Sequence, residues 1–151
     1  MIWKPAVTVA AVIERDGRFL LVEEETVAGR RYNQPAGHLD PGESLLEGVV
    51  RETLEETGYR FEPRALLGVY QYDHVAEGAT YIRFAFTGEI GTGEPARELD
   101  AGIVRTVWLS REEARREAPR HRSPLVMRCI EDYLAGQRFP LAVLHRHVGP
   151  A

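Results

Sequence analysis

The chain has 151 residues, 44% apolar and 28% charged, which suits a single domain (1–151) built around one core. Its net charge of −4 gives no reason to expect DNA or any other nucleic-acid backbone as the main partner. One cysteine, Cys129, excludes an internal disulfide and fits a reducing compartment. No apolar run is long enough to cross a membrane, so a cytoplasmic location is the expectation.

The opening "MIWKPAVTVAAVIERDG" has a short apolar run without a small-residue cleavage pattern and reads as a strand, not a signal peptide. "AVTVAAVIE" and "RFLLVEEE" are strand-like runs joined by Asp16-Gly17, a dipeptide that favours a hairpin turn. "RYNQPAGHL" reads as a short strand leaving through Pro35 and Gly37. "LLGVYQYDHV" and "TYIRFAFTGEI", rich in aromatic and β-branched residues, read as a second hairpin. "GIVRTVWLS" predicts another strand and "SREEARREA" a short polar helix. Ser123 and Pro124 predict an N-cap and a first helical residue. Behind them Leu125, Val126, Cys129, Ile130 and Tyr133 recur at helical spacing and should bury. Cys129 is thereby expected as a core thiol. Strands and helices mixed with hairpins point to an α/β fold, a mixed sheet flanked by helices.

The most informative stretch is "GHLDPGESLLEGVVRETLEETGY", residues 37–59. Ser44 followed by Glu47 forms a capping box, and Gly58 is placed as a C-cap. At about 100° per residue, Leu46, Val50, Thr53 and Thr57 share a narrow face, flanked by Val49 and Leu54. That face is expected to dock on the sheet. Glu52, Glu55 and Glu56 fall in a sector to the side, at the i, i+3, i+4 spacing of helix-surface neighbours. Gly48 lies in the same sector, one turn earlier, and leaves open space that a side chain would fill. Like charges so placed repel. Two readings follow: a solvated acidic face partly offset by Arg51, or a site for a hard divalent cation, which prefers carboxylate oxygens and commonly bridges to phosphate. Lys4 is the only lysine, so phosphate contacts beyond metal fall to arginines, backbone N–H groups or hydroxyls.

Gly37, Glu43, Arg51, Glu52, Glu55, Glu56 and Gly58 stand in a fixed array: glycine, five residues, glutamate, seven residues, then "RETLEETGY". This array resembles the Nudix box, the signature of hydrolases that cleave diphosphates linked to another moiety. Thr53 and Tyr59 depart from positions that are usually aliphatic. Outside the box, "KPAVTVAAVIERDGRFLLVEE", "YNQPAGHLD", "IRFAF" and "HRSPLVMRCIEDYLAGQRFPL" resemble the NudJ-type phosphatases, a subgroup of that family.

The resemblance implies a Nudix-type α/β/α sandwich with a central mixed β-sheet. It implies Mg²⁺, with Mn²⁺ as an alternative, on Glu52, Glu55, Glu56 and the carbonyl of Gly37. Arg51 would pair with Glu43 and hold the loop–helix–loop rigid. The reaction would be attack of water on phosphorus. The general base is Glu56, then Glu98, then Asp100 in order of preference; Glu112 and Glu113 read as exposed charges. The subgroup is associated with nucleoside tri- and diphosphates and with hydroxymethylpyrimidine pyrophosphate, releasing orthophosphate. The expected partner is a small phosphorylated molecule, and the protein a monomer or small homo-oligomer.

Candidate substrate contacts are Arg83, His38, Tyr32 and Asn33, with Arg122 and Arg138 as further phosphate candidates. Tyr70, Tyr72 and Phe84 are either base-stacking or core aromatics. Two other enzyme readings are RNA 5′-end and nucleotide-sugar pyrophosphohydrolase activity; scattered arginines and an acidic total argue against the RNA one. A ligand-sensing module without catalysis is a third, against which stand the complete set of box carboxylates.

Overall fold

The computed structural model describes residues 2–91 and 98–151. In chain order the strands are β1 (Ala6–Val12), β2 (Glu14–Arg15), β3 (Arg18–Thr26), β4 (Gly29–Asn33) and β5 (Ala36–His38). Helix α1 (Leu45–Thr57) follows, then β6 (Phe61–His74), β7 (Ala79–Ile90) and β8 (Ile103–Ser110). Helices α2 (Arg111–Arg116) and α3 (Leu125–Leu134) come last among the regular helices.

The central sheet has the order β5-β1-β7-β6. Strands β1 and β7 run parallel, while β1/β5 and β6/β7 are antiparallel, so the sheet is mixed. A second, antiparallel sheet runs β2-β3-β4, with β8 on the other side of β3. Asp16 and Gly17 both take positive φ, 52° and 78°, which matches the right-handed twist of a two-residue hairpin.

Strand alternation separates two cores. Val9 and Ala11 pack with Phe86 and Val49, the last from α1. Val12 and Ala85, on the opposite face, pack with Cys129 and Ile130 of α3. The result is helix, sheet, helix. Cys129 is fully buried, as its place in the α3 stripe predicts. That helix starts at Leu125, one residue later than expected. Pro124 therefore takes the cap position expected of Ser123, without a side-chain cap bond, and the Ser123 hydroxyl one residue earlier accepts from the Leu125 N–H at 3.1 Å.

Helix α1 is framed as its caps predict. Ser44 accepts from the Glu47 N–H while the Glu47 carboxylate accepts from the Ser44 N–H, and Gly58 closes the helix in the left-handed region. Its docking face differs from expectation. The buried positions are Gly48, Val49, Glu52, Thr53, Glu56 and Thr57, whereas Leu46, Val50 and Leu54 are only partly covered. The helix is rotated so that two glutamates, not a flank of aliphatic residues, turn inward. Thr53 and Thr57 tolerate burial because each hydroxyl donates to the carbonyl four residues back, at 2.7 and 2.6 Å.

Candidate active site

The box loop approaches α1 closely at Gly37. A Cβ there would sit 2.2–2.3 Å from the carboxyl group of Glu52. Gly48 has a different function from the one expected. The space beside it is taken by the Glu43 carboxyl group at 3.0 Å and Leu39 at 3.2 Å. That glycine admits the loop, not a ligand.

Arg51 is the hub of this region. Its Nε and Nη2 donate to the two oxygens of Glu43 at 2.9 and 2.7 Å, a bidentate pair. Nη1 donates to Glu52 at 2.8 Å and Glu55 at 3.1 Å, and Nη2 also reaches the carbonyl of His38 at 3.0 Å. Glu43 further accepts from the Asp40 N–H at 2.7 Å. The Arg51 hydrogen bonds hold the Glu43 carboxyl below the usual carboxylate range.

Among the described residues Glu56 has no such counter-ion. It is 8% exposed, and its described hydrogen-bond donor is the Ala36 N–H at 2.9 Å. Burial pushes its pKa up to about 8; the hydrogen bond opposes this, and the charges of Glu24, Glu52 and Asp100 add to it. Burial raises Glu52 as well, against the pull of Arg51. Among the described residues no three carboxylate or imidazole groups already form an ion cage. Glu52 and Glu55 turn to Arg51, and Glu56 to Ala36.

The donor set nonetheless fits a hard divalent cation. It consists of oxygens, and two of its carboxylates are buried beyond what their described partners compensate.

A cleft of about 820 Å³ opens beside the box. Gly37, His38, Asn33 and Arg83 line it, with Tyr72 and Tyr81 towards the β6–β7 hairpin. Three of the expected contact residues therefore share one cleft. Tyr32 does not join them. It is 4% exposed, packs with Leu21, Val107 and Val126, and carries the Arg120 guanidinium over its ring at 4.7 Å. Neighbours on a strand face opposite ways, so Asn33 in the cleft puts Tyr32 in the core.

The other candidates divide as follows. Tyr70 is partly buried and donates to Asp132 at 2.8 Å, and Phe84 packs towards α1. Arg138 stacks on Tyr133 at 4.2 Å, and Arg122 stands at the cleft, paired with Glu24 at 2.8 Å. Glu98 is exposed. Two residues on, the Asp100 N–H donates to the carbonyl of Glu55 at 3.0 Å, which brings this segment against α1. Glu112 is exposed, whereas Glu113 completes a second capping box with Ser110 at the start of α2.

Gln34 and Glu24 are parts of the site that sequence reasoning passed over. Gln34 is 1% exposed and bonded to Arg83; a buried amide between Asn33 and Pro35 carries no periodic signal. Glu24 lies within a run of three glutamates, where alternation sends Glu23 and Glu24 to opposite faces.

Comparison with known proteins agrees with this geometry. A family model, the NUDIX domain, matches residues 3–129. Phosphatase NudJ of Escherichia coli K12 is 40% identical over 143 residues, covering 94% of this chain and 92% of that protein. A NUDIX hydrolase from Nitrosomonas europaea superposes with a TM-score of 0.92 at 52% identity, covering 95% of this chain and 98% of its own. A MutT NUDIX hydrolase from Burkholderia pseudomallei gives a TM-score of 0.73 at 25% identity, over 86% of this chain and 98% of its own. The chain thus belongs to the Nudix family, as a hydrolase of phosphoanhydride bonds similar to the NudJ phosphatases.

Proposed function

We propose that this hydrolase is Mg²⁺-dependent, with Mn²⁺ able to substitute, and that it cleaves nucleoside tri- and diphosphates and hydroxymethylpyrimidine pyrophosphate with release of orthophosphate. The observation that carries the metal dependence is Glu56: a buried carboxyl group whose described hydrogen-bond donor is a backbone N–H, beside a second buried carboxylate, Glu52. Glu52, Glu55, Glu56 and the carbonyl of Gly37 would hold the ion. When bound, the ion neutralises charge on the phosphate oxygens and activates water for attack on phosphorus.

The chain's own residues supply the rest. Arg51 holds Glu43, Glu52 and Glu55 in place through its fork. Glu56 is the first choice to take the proton of the attacking water, with Glu98, then Asp100, as later alternatives. Arg83, His38 and Asn33 face the substrate from the cleft, and Tyr72 and Tyr81 offer ring faces at its far end. Identity with the phosphatase NudJ over most of both chains supports orthophosphate as the product.

The test is incubation with Mg²⁺ and a panel: nucleoside tri- and diphosphates, a nucleotide sugar, triphosphorylated RNA and hydroxymethylpyrimidine pyrophosphate. Orthophosphate and pyrophosphate are quantified separately. Orthophosphate from the mononucleotides and the pyrimidine diphosphate is the expected result. Pyrophosphate release, or cleavage of nucleotide sugars or RNA alone, would discard the substrate assignment. Equal turnover in EDTA would discard the metal.

A further inference from the structure

Arg83 is the most unusual charge in the molecule outside the box. It is 5% exposed, and its described partners are all neutral. Nη1 donates to Gln34 Oε1 at 2.9 Å and approaches Cys129 Sγ at 3.8 Å; Nη2 donates to Asn33 Oδ1 at 2.8 Å. Burial raises the Cys129 pKa, so the thiol stays neutral and does not balance the guanidinium. A buried guanidinium without an anion is costly, and proteins rarely keep one.

These described partners are oriented as well as neutral. An arginine donates and never accepts, so Asn33 and Gln34 must turn their amide oxygens towards it. The Gln34 NH₂ is then used on the carbonyl of Val126 at 2.9 Å. The Asn33 NH₂ has no such partner in the described hydrogen bonds, and Asn33 lines the cleft with Arg83. In a cleft that Glu24, Glu25 and Glu77 also line, Arg83 and Asn33 together present donors and positive charge on this floor.

Segment 33–37 ties this floor to the box. At one end Asn33 and Gln34 hold Arg83; at the other, Ala36 donates to Glu56 and Gly37 lies against the Glu52 carboxyl group. Four residue steps separate Asn33 from Gly37, so their Cα atoms lie at most about 14 Å apart. In the central sheet His38, Thr8 and Arg83 form one cross-strand row, and all three line the cleft.

We infer that Arg83 and the Asn33 amide form a second anion subsite, which holds a non-reacting phosphate of the substrate while another phosphate reacts at the box. Built on the proposed phosphoanhydride substrates, this makes Arg83 and Asn33 specificity-determining residues and Gln34 the positioning residue that fixes them. The preferred substrate keeps at least one charged phosphate after cleavage. The remaining monophosphate or diphosphate product competes at the same subsite.

Arg83→Gln would disturb Gln34 and Asn33 as well as the charge. Asn33→Asp separates the two effects. It keeps the oxygen that Arg83 needs, gives the guanidinium a counter-ion, and replaces the free donor with a negative oxygen. The full chain with saturating Mg²⁺ is assayed on a nucleoside triphosphate. The melting temperature is followed without Mg²⁺ as inorganic triphosphate is added.

For Asn33→Asp, KM is expected to rise about tenfold or more with kcat nearly unchanged. The melting temperature in buffer should equal or exceed that of the unaltered protein, while the stabilisation by inorganic triphosphate is lost. A purely structural Arg83 predicts higher stability with KM unchanged, and that result would overturn the inference while hydrolysis itself stood. Raised KM for the nucleotide with the inorganic triphosphate response intact would also overturn it, by moving the recognised acceptor to the ring. If no substrate is cleaved yet the inorganic triphosphate response appears and is lost in Asn33→Asp, the proposed function fails and the subsite stands.

Discussion

Two glutamates in this molecule expose little surface and have opposite surroundings: Glu56 lies deep in the protein, whereas Glu23 is covered by its arginines. Glu23, on β3, is 4% exposed and receives Arg120 at 2.6 Å and Arg105 at 3.2 Å. Burial alone would raise its pKa, but the bonds from Arg120 and Arg105 outweigh it and hold the carboxyl below its ordinary value. Glu56, on α1, is 8% exposed and has the Ala36 N–H, with burial pushing its pKa up to about 8. A buried charge supplied with its counter-ions is a structural tie. A buried charge left without them is a place for something the chain does not itself provide. Arg83 repeats the second pattern with the opposite sign. On this view the site is defined by missing compensation: negative sites await metal, and a positive one awaits phosphate.

The largest effect that would break the comparison comes from Glu56→Gln. Loss of a general base costs about 10²–10⁴-fold in turnover. The metal-free fold should be as stable as before, because the substitution removes a carboxyl group that was costly to ionise. Steady-state kinetics with Mg²⁺ and a metal-free melt check both halves. Arg51→Gln comes next, since one guanidinium aligns Glu43, Glu52 and Glu55. Metal affinity or activity should fall about 10–100-fold, and Arg51→Lys should not restore it, because an ammonium lacks the two-pronged fork. Isothermal titration with Mg²⁺ measures the affinity.

Gly37→Ala sharpens the account at the level of packing. Its new methyl meets the end of the Glu52 side chain, so that carboxylate must turn aside, at a cost of about 0.5–1.5 kcal/mol in stability together with weaker Mg²⁺ binding. Chemical denaturation checks the first and calorimetry the second. The smallest effect on catalysis is expected from Glu23→Gln, which should leave kcat/KM unchanged while lowering stability by about 1–3 kcal/mol. The sign of its pH dependence follows from the lowered pKa. Glu23 contributes its stability above its ordinary pKa of 4.5 and loses it as pH falls through the depressed native value. The stability gap between Glu23→Gln and the unaltered protein should therefore be full at pH 7 and shrink in acid.

The frame of α1 is legible in the sequence because caps are local. Ser44, Glu47 and Gly58 act through backbone groups within one turn. Its rotation is not, because a pattern of apolar residues counts Glu52 and Glu56 as surface. Their burial depends on the Gly37 loop, which only the fold brings over them. The box spacing marks the acidic half of the site. The cationic half is less visible, since Arg83 reaches Asn33 and Gln34 from a strand about fifty residues away in the chain. Tyr32 departs from the expected substrate contact because strand alternation next to Asn33 places it on the core side. No described helix is long and apolar enough to cross a membrane, in line with the composition.

The central claim is that Glu56 is uncompensated because it awaits a divalent ion, whereas Glu23 is already satisfied. The most direct measurement is the melting temperature as Mg²⁺ is titrated into the unaltered protein, Glu56→Gln and Glu23→Gln. The account predicts that Mg²⁺ stabilises the unaltered protein and Glu23→Gln alike and that the rise is lost in Glu56→Gln. An equal rise in Glu56→Gln, or no rise in the unaltered protein, would contradict it.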